Sequence, residues 1–213
     1  MSVTGQPAGG DDHPDHHPDA HSAGGGAGEH EPIVFIVCGA GGAGKSTITA
    51  RMIEEDPTLH LSRSWTTRAR RPGEPEQAYV WVTEEEFRER VAAGGFLEWA
   101  AFFEDFYGTP TPEVPPGNDL VLEIDVQGAV QVRERDPDSV VVFVLPPSRS
   151  EQERRMRERG DDDEHVARRL AKSDAEEEIG RDLADLVIVN HDVDDSLAQV
   201  QKLIDELRRQ RRG

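Results

Sequence analysis

Residues 39–46 read Gly39-Ala40-Gly41-Gly42-Ala43-Gly44-Lys45-Ser46, with Thr47 next, and so fit the spacing G-x-x-x-x-G-K-[ST]. Glycines at this density let successive backbone N–H groups turn inward around phosphate oxygens. A helix opening directly after them aims the positive end of its dipole at the same anion. In such a loop the Lys45 amine reaches the β- and γ-phosphates of a nucleoside triphosphate, and the Ser46 hydroxyl ligates Mg²⁺. The competing explanation is a flexible Gly-rich turn. Context argues against it: an apolar run at 33–38 (IVFIVC) precedes the loop and a helical stretch at 45–55 follows, which is the setting the motif requires.

A second group of candidates lies at 62–74, S-R-S-W-T-T-R-A-R-R-P-G-E. Arg68 and Arg71, flanked by hydroxyls, have the spacing of a bidentate clamp for another phosphate. Taken alone, the same residues also fit a solvated, Arg-rich surface loop.

These groups need a frame. The run at 33–38 is short, continuous and rich in β-branched residues, as in a strand buried on both faces of a parallel sheet. The helix after the loop is stopped by Asp56-Pro57. Residues 59–78, polar and broken by Pro72, Gly73 and Pro75, predict an extended segment and loop. A short strand is expected at 79–82. Thr83 with Glu86 forms a capping box that opens a helix ending at Gly94-Gly95. Another strand is expected at 96–103. Prolines 110, 112, 115 and 116 exclude a helix before the strand at 120–126 (LVLEIDV). A strand at 140–145 (VVVFVL) leads through Pro146-Pro147-Ser148 into an Arg/Glu-rich helix ending at Arg159-Gly160. A charged helix follows at about 163–179, then a strand at 186–189. A last helix places Leu197, Val200, Leu203, Ile204 and Leu207 on one face. Apolar strands separated by helices predict an α/β fold, a doubly wound parallel sheet covered by amphipathic helices.

The composition narrows the function. A net charge of −19 over 213 residues argues against nucleic acid or an anionic membrane as partner, since both call for a basic surface. No stretch has the length and apolarity of a membrane span, and no leader pattern opens the chain. Cys38 is the single cysteine, so no internal disulfide forms; a reducing, cytoplasmic setting is expected. Residues 1–30 hold no Leu, Ile, Phe or Trp and predict a disordered tail. Its histidines, His13, His16, His17, His21 and His30, offer only weak and unselective metal binding without fixed geometry.

From 62 onward the chain resembles guanylate kinases. The pattern S-x-S-x-T-T-R-x-x-R-x-G-E is followed by Tyr79, Phe96-Leu97-Glu98-Trp99, Tyr107-Gly108-Thr109, Glu123-Ile124-Asp125-Val126-Gln127-Gly128 and Pro146-Pro147-Ser148, in that order. The resemblance covers about 33–207. It implies a P-loop NTPase-type doubly wound parallel sheet in a domain at 31–213, with a small GMP-binding insertion at about 62–118 and a helical lid at about 148–170. It implies ATP and GMP as substrates, Mg²⁺ as cofactor, and a monomer or homodimer. Ser64, Arg68, Arg71, Tyr79 and Tyr107 would hold the GMP phosphate, and Glu98, Thr109 and Asp125 would face the guanine. Guanine offers N1–H and N2–H donors that a carboxylate accepts, whereas adenine presents a bare acceptor at N1. Such a site rejects the wrong base by about 10⁴-fold or more. Arg155 and Arg159, one turn apart, and Arg169 would serve the transferring phosphoryl group from the lid, with Arg168 an alternative to Arg169.

The chain departs from the family spacing in places. Arg71 to Tyr79, Arg159 to Arg169 and Thr109 to Asp125 are each shortened, and Glu104-Asp105 replaces a more usual Gly-Asn pair. Two rivals remain: a guanylate-kinase-like scaffold without catalysis, and a kinase for another small phosphate ester. Intact Lys45 and Ser46 oppose the first. Glu98, Thr109 and Asp125 together oppose the second.

Overall fold

Along the chain of the computed structural model, which describes residues 31–71 and 73–212, the elements are β1 (Val34–Cys38), α1 (Lys45–Glu55), β2 (Leu59–Leu61), β3 (Trp65–Thr66), β4 (Val80–Trp81), α2 (Glu84–Ala92), β5 (Phe96–Phe102), β6 (Asp105–Pro110), β7 (Asp119–Glu123), α3 (Val126–Arg135), β8 (Val140–Leu145), α4 (Arg149–Glu158), α5 (Asp163–Leu183), β9 (Leu186–Val189) and α6 (Val193–Arg212). The expectations for the His-rich tail and for Pro72 lie outside the described residues.

Five strands make a parallel sheet in the order β2-β7-β1-β8-β9. The apolar run of β1 sits at its centre for a physical reason: alternate side chains leave opposite faces, and both faces are covered. Phe35 and Val37 pack with Ile48 and Met52 of α1 and Val200 and Ile204 of α6. Ile36 and Cys38 pack on the other side with Ala129 and Val132 of α3 and with Phe143. Cys38 is therefore a core side chain, and burial pushes its thiol up to about 12. The phosphate-loop residues leave the carboxyl end of β1, where ligands of open α/β sheets bind.

A smaller sheet, in the order β4-β3-β6-β5, stands beside this frame. Its β5 and β6 pair antiparallel, so that Glu98 lies opposite Thr109, while β3 sets Trp65 opposite Gly108 and Thr66 opposite Tyr107. Phe87 of α2, fully buried, stacks on Phe96 and Phe106 and fixes the helix to this sheet.

Two strand boundaries read from the sequence are corrected, and four elements are added. The strand expected at 120–126 ends at Glu123; Asp125 caps α3, its Oδ1 accepting from the Gly128 N–H at 2.8 Å. That bond satisfies a donor the helix leaves unpaired. Helix α3 escaped notice because valines and a glycine depress its propensity, yet Val126, Ala129 and Val132 bury one face. Strands β2 and β3 form where extended chain and loop were expected, and β6 forms where no element was expected. The strand expected at 96–103 stops at Phe102, because Phe103 takes a left-handed φ of +58° at the hairpin tip.

Candidate functional site

The loop ends in Gly44, which takes a φ of +97° as the N-cap of α1 and gives that helix no side-chain cap. The contrast with its neighbours is informative. Helices α2, α3, α4 and α5 are each capped by a side chain, from Thr83, Asp125, Ser148 and Asp162. Helix α1 also has no acid in its first turn, so its free N–H groups and dipole face the loop as an anion site.

Inside the loop, Lys45 Nζ donates to the carbonyls of Gly39 at 2.7 Å and Ala40 at 3.2 Å. Burial lowers its pKa, against the opposing charge of Glu123. Ser46 and Thr47 are exposed at the head of α1. The Ser46 hydroxyl donates to Glu123 at the end of β7, a carboxylate that burial raises above its usual range despite this hydrogen bond and nearby Lys45.

Side chains of α4 and α5 lie against the same loop. Arg155 of α4 donates to Ala43 O at 3.3 Å and Asn190 O at 3.2 Å. Arg169 of α5 lies against Gly41, where a Cβ would sit 2.3 Å from its Nη1. Arg168, the alternative, stands instead over the Phe103 ring, 5.1 Å from its centroid. Arg159 is the C-cap of α4, its backbone N–H donating to Arg155 O at 3.3 Å, and it pairs with Asp161. Arg155 and Arg159 thus stand one turn apart, as expected, while their guanidiniums meet different neighbours, the loop and Asp161.

On the smaller sheet, Ser64 Oγ lies 3.1 Å from Thr109 Oγ1, and Thr109 hydrogen-bonds Glu98. Glu98 is 4 % exposed, and burial lifts its pKa to about 7, helped by the charge of Asp125 and resisted by the Thr109 hydrogen bonds. Beside this polar chain, Arg68 sits over the Tyr79 ring at 5.6 Å, and Tyr79 meets Tyr107 edge-on at 6.2 Å. Arg68 is held by both oxygens of Glu74, at 2.8 and 3.0 Å, and Glu74 also accepts from the Arg71 backbone N–H. The Arg71 guanidinium pairs with Asp161 at 3.1 Å.

The structure therefore brings the sequence candidates into three adjoining groups. Lys45, Ser46, Arg155 and Arg169 gather at the loop; Ser64, Glu98, Thr109 and Asp125 form a polar cluster; Arg68, Arg71, Tyr79, Tyr107 and Arg159 form a third group. Arg169 links the groups, since its guanidinium touches the loop while Arg159 and Arg71 depress its pKa further, after burial. Glu123 and Asp161 went unrecognised from sequence. Glu123 carried a signal, the acid two residues before Asp125 at a strand end, whereas nothing in the Asp161-Asp162-Asp163 run tells which carboxylate turns inward.

Against known proteins, the guanylate kinase family model matches residues 31–207. The chain is 44 % identical over 173 residues to a guanylate kinase of Xanthomonas oryzae pv. oryzae, covering 78 % of this chain and 85 % of that one. It is 39 % identical over 177 residues to a guanylate kinase of Caldanaerobacter subterraneus subsp. tengcongensis, covering 81 % and 86 %. Among solved structures it resembles guanylate kinase from Anaplasma phagocytophilum, with a TM-score of 0.68 and 29 % identity over 82 % of this chain and 85 % of that one. A family model spanning most of the chain, relatives of this similarity and a matching fold agree with the geometry of the loop: the chain belongs to the guanylate kinase family.

Proposed function

We propose that this protein transfers the γ-phosphoryl group of ATP to GMP, giving ADP and GDP. The observation that carries the reading is Glu98, a carboxylate buried beside Thr109 and Asp125 in a chain whose phosphate loop leads into an uncapped helix. Burying a carboxylate costs free energy unless a partner repays it, and guanine, with adjacent N1–H and N2–H donors, is such a partner.

The proposed division of labour follows from charge. The loop from Gly39 to Thr47 takes the ATP phosphates, with Lys45 on the β- and γ-groups. Ser64, Arg68, Arg71, Tyr79 and Tyr107 take the GMP phosphate. Glu98, Thr109 and Asp125 read the base. Arg155, Arg159 and Arg169 neutralise the group in transfer. The acceptor oxygen belongs to a phosphate with a second pKa of about 6, so it is deprotonated near neutral pH and needs no general base. The barrier is bringing two polyanions into line, and positioning plus positive charge lowers it.

A magnesium ion fits the residues present. Ser46 offers a hydroxyl and Glu123 a carboxylate, both oxygen donors of the hard type this ion prefers, and one or two protein ligands suffice when phosphates supply the rest. When bound, Mg²⁺ supplies charge neutralisation to the β- and γ-phosphates. We place the protein in the cytoplasm, consistent with its lone buried cysteine; among the described residues no helix is long and apolar enough to cross a membrane.

Titration calorimetry with GMP and AMP tests the base-reading assignment. Wild type is expected to bind GMP at least about 100-fold more tightly than AMP, and Glu98→Gln to lose most of that preference. Equal affinity for the two nucleotides in wild type would refute it.

A further inference from the structure

The carboxylate of Asp161 is held where a substrate phosphate would meet the arginines. Helix α4 ends in a Schellman turn: Gly160, at a φ of +94°, donates to Arg157 O at 2.9 Å, and Asp161 donates to Met156 O at 3.1 Å. This turn fixes the Asp161 backbone against the end of its own helix. The side chain turns inward and is 3 % exposed. The two acids that follow do other things. Asp162 caps α5, accepting from the His165 N–H at 2.7 Å, and Asp163 is 89 % exposed, paired with Arg157.

Asp161 uses both oxygens on arginines from different parts of the chain. Oδ2 accepts from Arg159 Nε at 2.8 Å, on the lid side, and Oδ1 meets Arg71 Nη2 at 3.1 Å, on the smaller-sheet side. Arg169 lies close enough for its charge to act on Asp161 as well. Burial alone would raise this carboxyl, yet the Arg159 hydrogen bond and the fields of Arg159, Arg71 and Arg169 keep it below its ordinary value. Three guanidiniums thus act on this one carboxylate.

We propose that Asp161 is an internal stand-in for the acceptor's phosphate, tying Arg71 to Arg159 until a phosphate monoester displaces it, and thereby setting the affinity of the acceptor site. The proposal rests on the acceptor reading given above. A phosphate monoester brings three oxygens and close to two charges, against two oxygens and one charge for the carboxylate, so it can take both arginines at once. A neutral nucleoside cannot. The apparent dissociation constant is the intrinsic one divided by the fraction of molecules in which the arginines are free, so an internal competitor weakens binding. Its release would free Arg159 for the group in transfer at the moment the acceptor arrives.

The test is calorimetric titration, with MgADP present to fill the loop, of GMP and separately of inorganic phosphate into wild type, Asp161→Asn, Asp161→Ser and Asp163→Asn. Thermal melting confirms that each variant is folded. The two Asp161 variants are expected to bind both ligands about tenfold more tightly than wild type. Asp163→Asn, which removes the same charge from an outward-facing neighbour, is expected to match wild type. A gain in affinity is the informative direction, because damage to a merely structural residue would not produce it. Unchanged or weaker binding of both ligands by the Asp161 variants, or an equal gain in Asp163→Asn, would overturn the proposal. Inorganic phosphate separates the two claims: failure of GMP to bind any of the proteins counts against the acceptor reading, while the phosphate series still decides the role of Asp161.

Discussion

Glu98 combines a structural cost with a proposed recognition role, and its ionisation makes both measurable. Its pKa of about 7 in the folded chain exceeds the usual carboxylate value, with burial as the leading cause. The native state therefore holds this proton more tightly than the unfolded state. Stability is lost as pH rises from the unfolded pKa toward 7 and stays lost above it. Glu98→Gln, neutral at every pH, should raise the melting temperature at pH 8 by roughly 2–4 °C for each kcal/mol recovered, with little change near pH 4; an unchanged melting curve at pH 8 would show that the carboxylate is not strained. The same ionisation should appear in catalysis. The ionised form accepts both guanine donors, so kcat/KM for GMP should climb through pH 7 in wild type. In Glu98→Gln that limb should vanish, leaving only the step near pH 6 from the phosphate itself. Sequence resemblance singled out Glu98 through its motif. It could not give the pKa, which depends on burial against Thr109 and Asp125 from distant stretches of chain.

At the level of elements, the helix caps separate stability from phosphate binding. The capping box of Thr83 and Glu86 was legible in sequence, and both reciprocal bonds form, at 3.2 Å to the Glu86 N–H and 2.7 Å from the Thr83 N–H. Thr83→Ala should cost about 1 kcal/mol and leave turnover unchanged, read as a lower melting temperature with an unaltered rate. Gly41→Ala should do the reverse. Its added methyl would meet the Arg169 guanidinium, so Arg169 must move off the loop, and kcat should fall by about tenfold or more with only a small shift in melting. A fall in stability without a fall in rate would place Arg169 outside the reaction. The apolar strands β1, β7 and β8 were readable because buried parallel strands are continuous runs. Strands β2 and β3 were not: they hold three and two residues and are set by pairing with the distant β7 and β6. Helix α3 was hidden by poor propensity, which packing of Val126, Ala129 and Val132 overrides. The arginines were legible as residues, but not the division that sends Arg155 to the loop and Arg159 to Asp161, because the turn at Gly160 that places Asp161 decides it.

The whole molecule sets positive charge locally within a chain of net charge −19. Arg68, Arg71, Arg159, Arg169 and Lys45 converge from separate segments that only the fold brings together. A ligand engaging them should stabilise the native state by mass action: MgATP at 100 times its dissociation constant adds about 2.7 kcal/mol, visible as a rise in melting temperature that Lys45→Ala should largely abolish at the same concentration. The central claim is the reaction, and its most direct test is ADP release in a coupled assay with MgATP and, in turn, GMP, AMP, CMP and UMP, using wild type and Lys45→Ala. The account predicts turnover with GMP alone, reduced by about 100-fold or more in the variant. Turnover with another acceptor in preference to GMP, or none with any of them from folded protein that binds ATP, would contradict it.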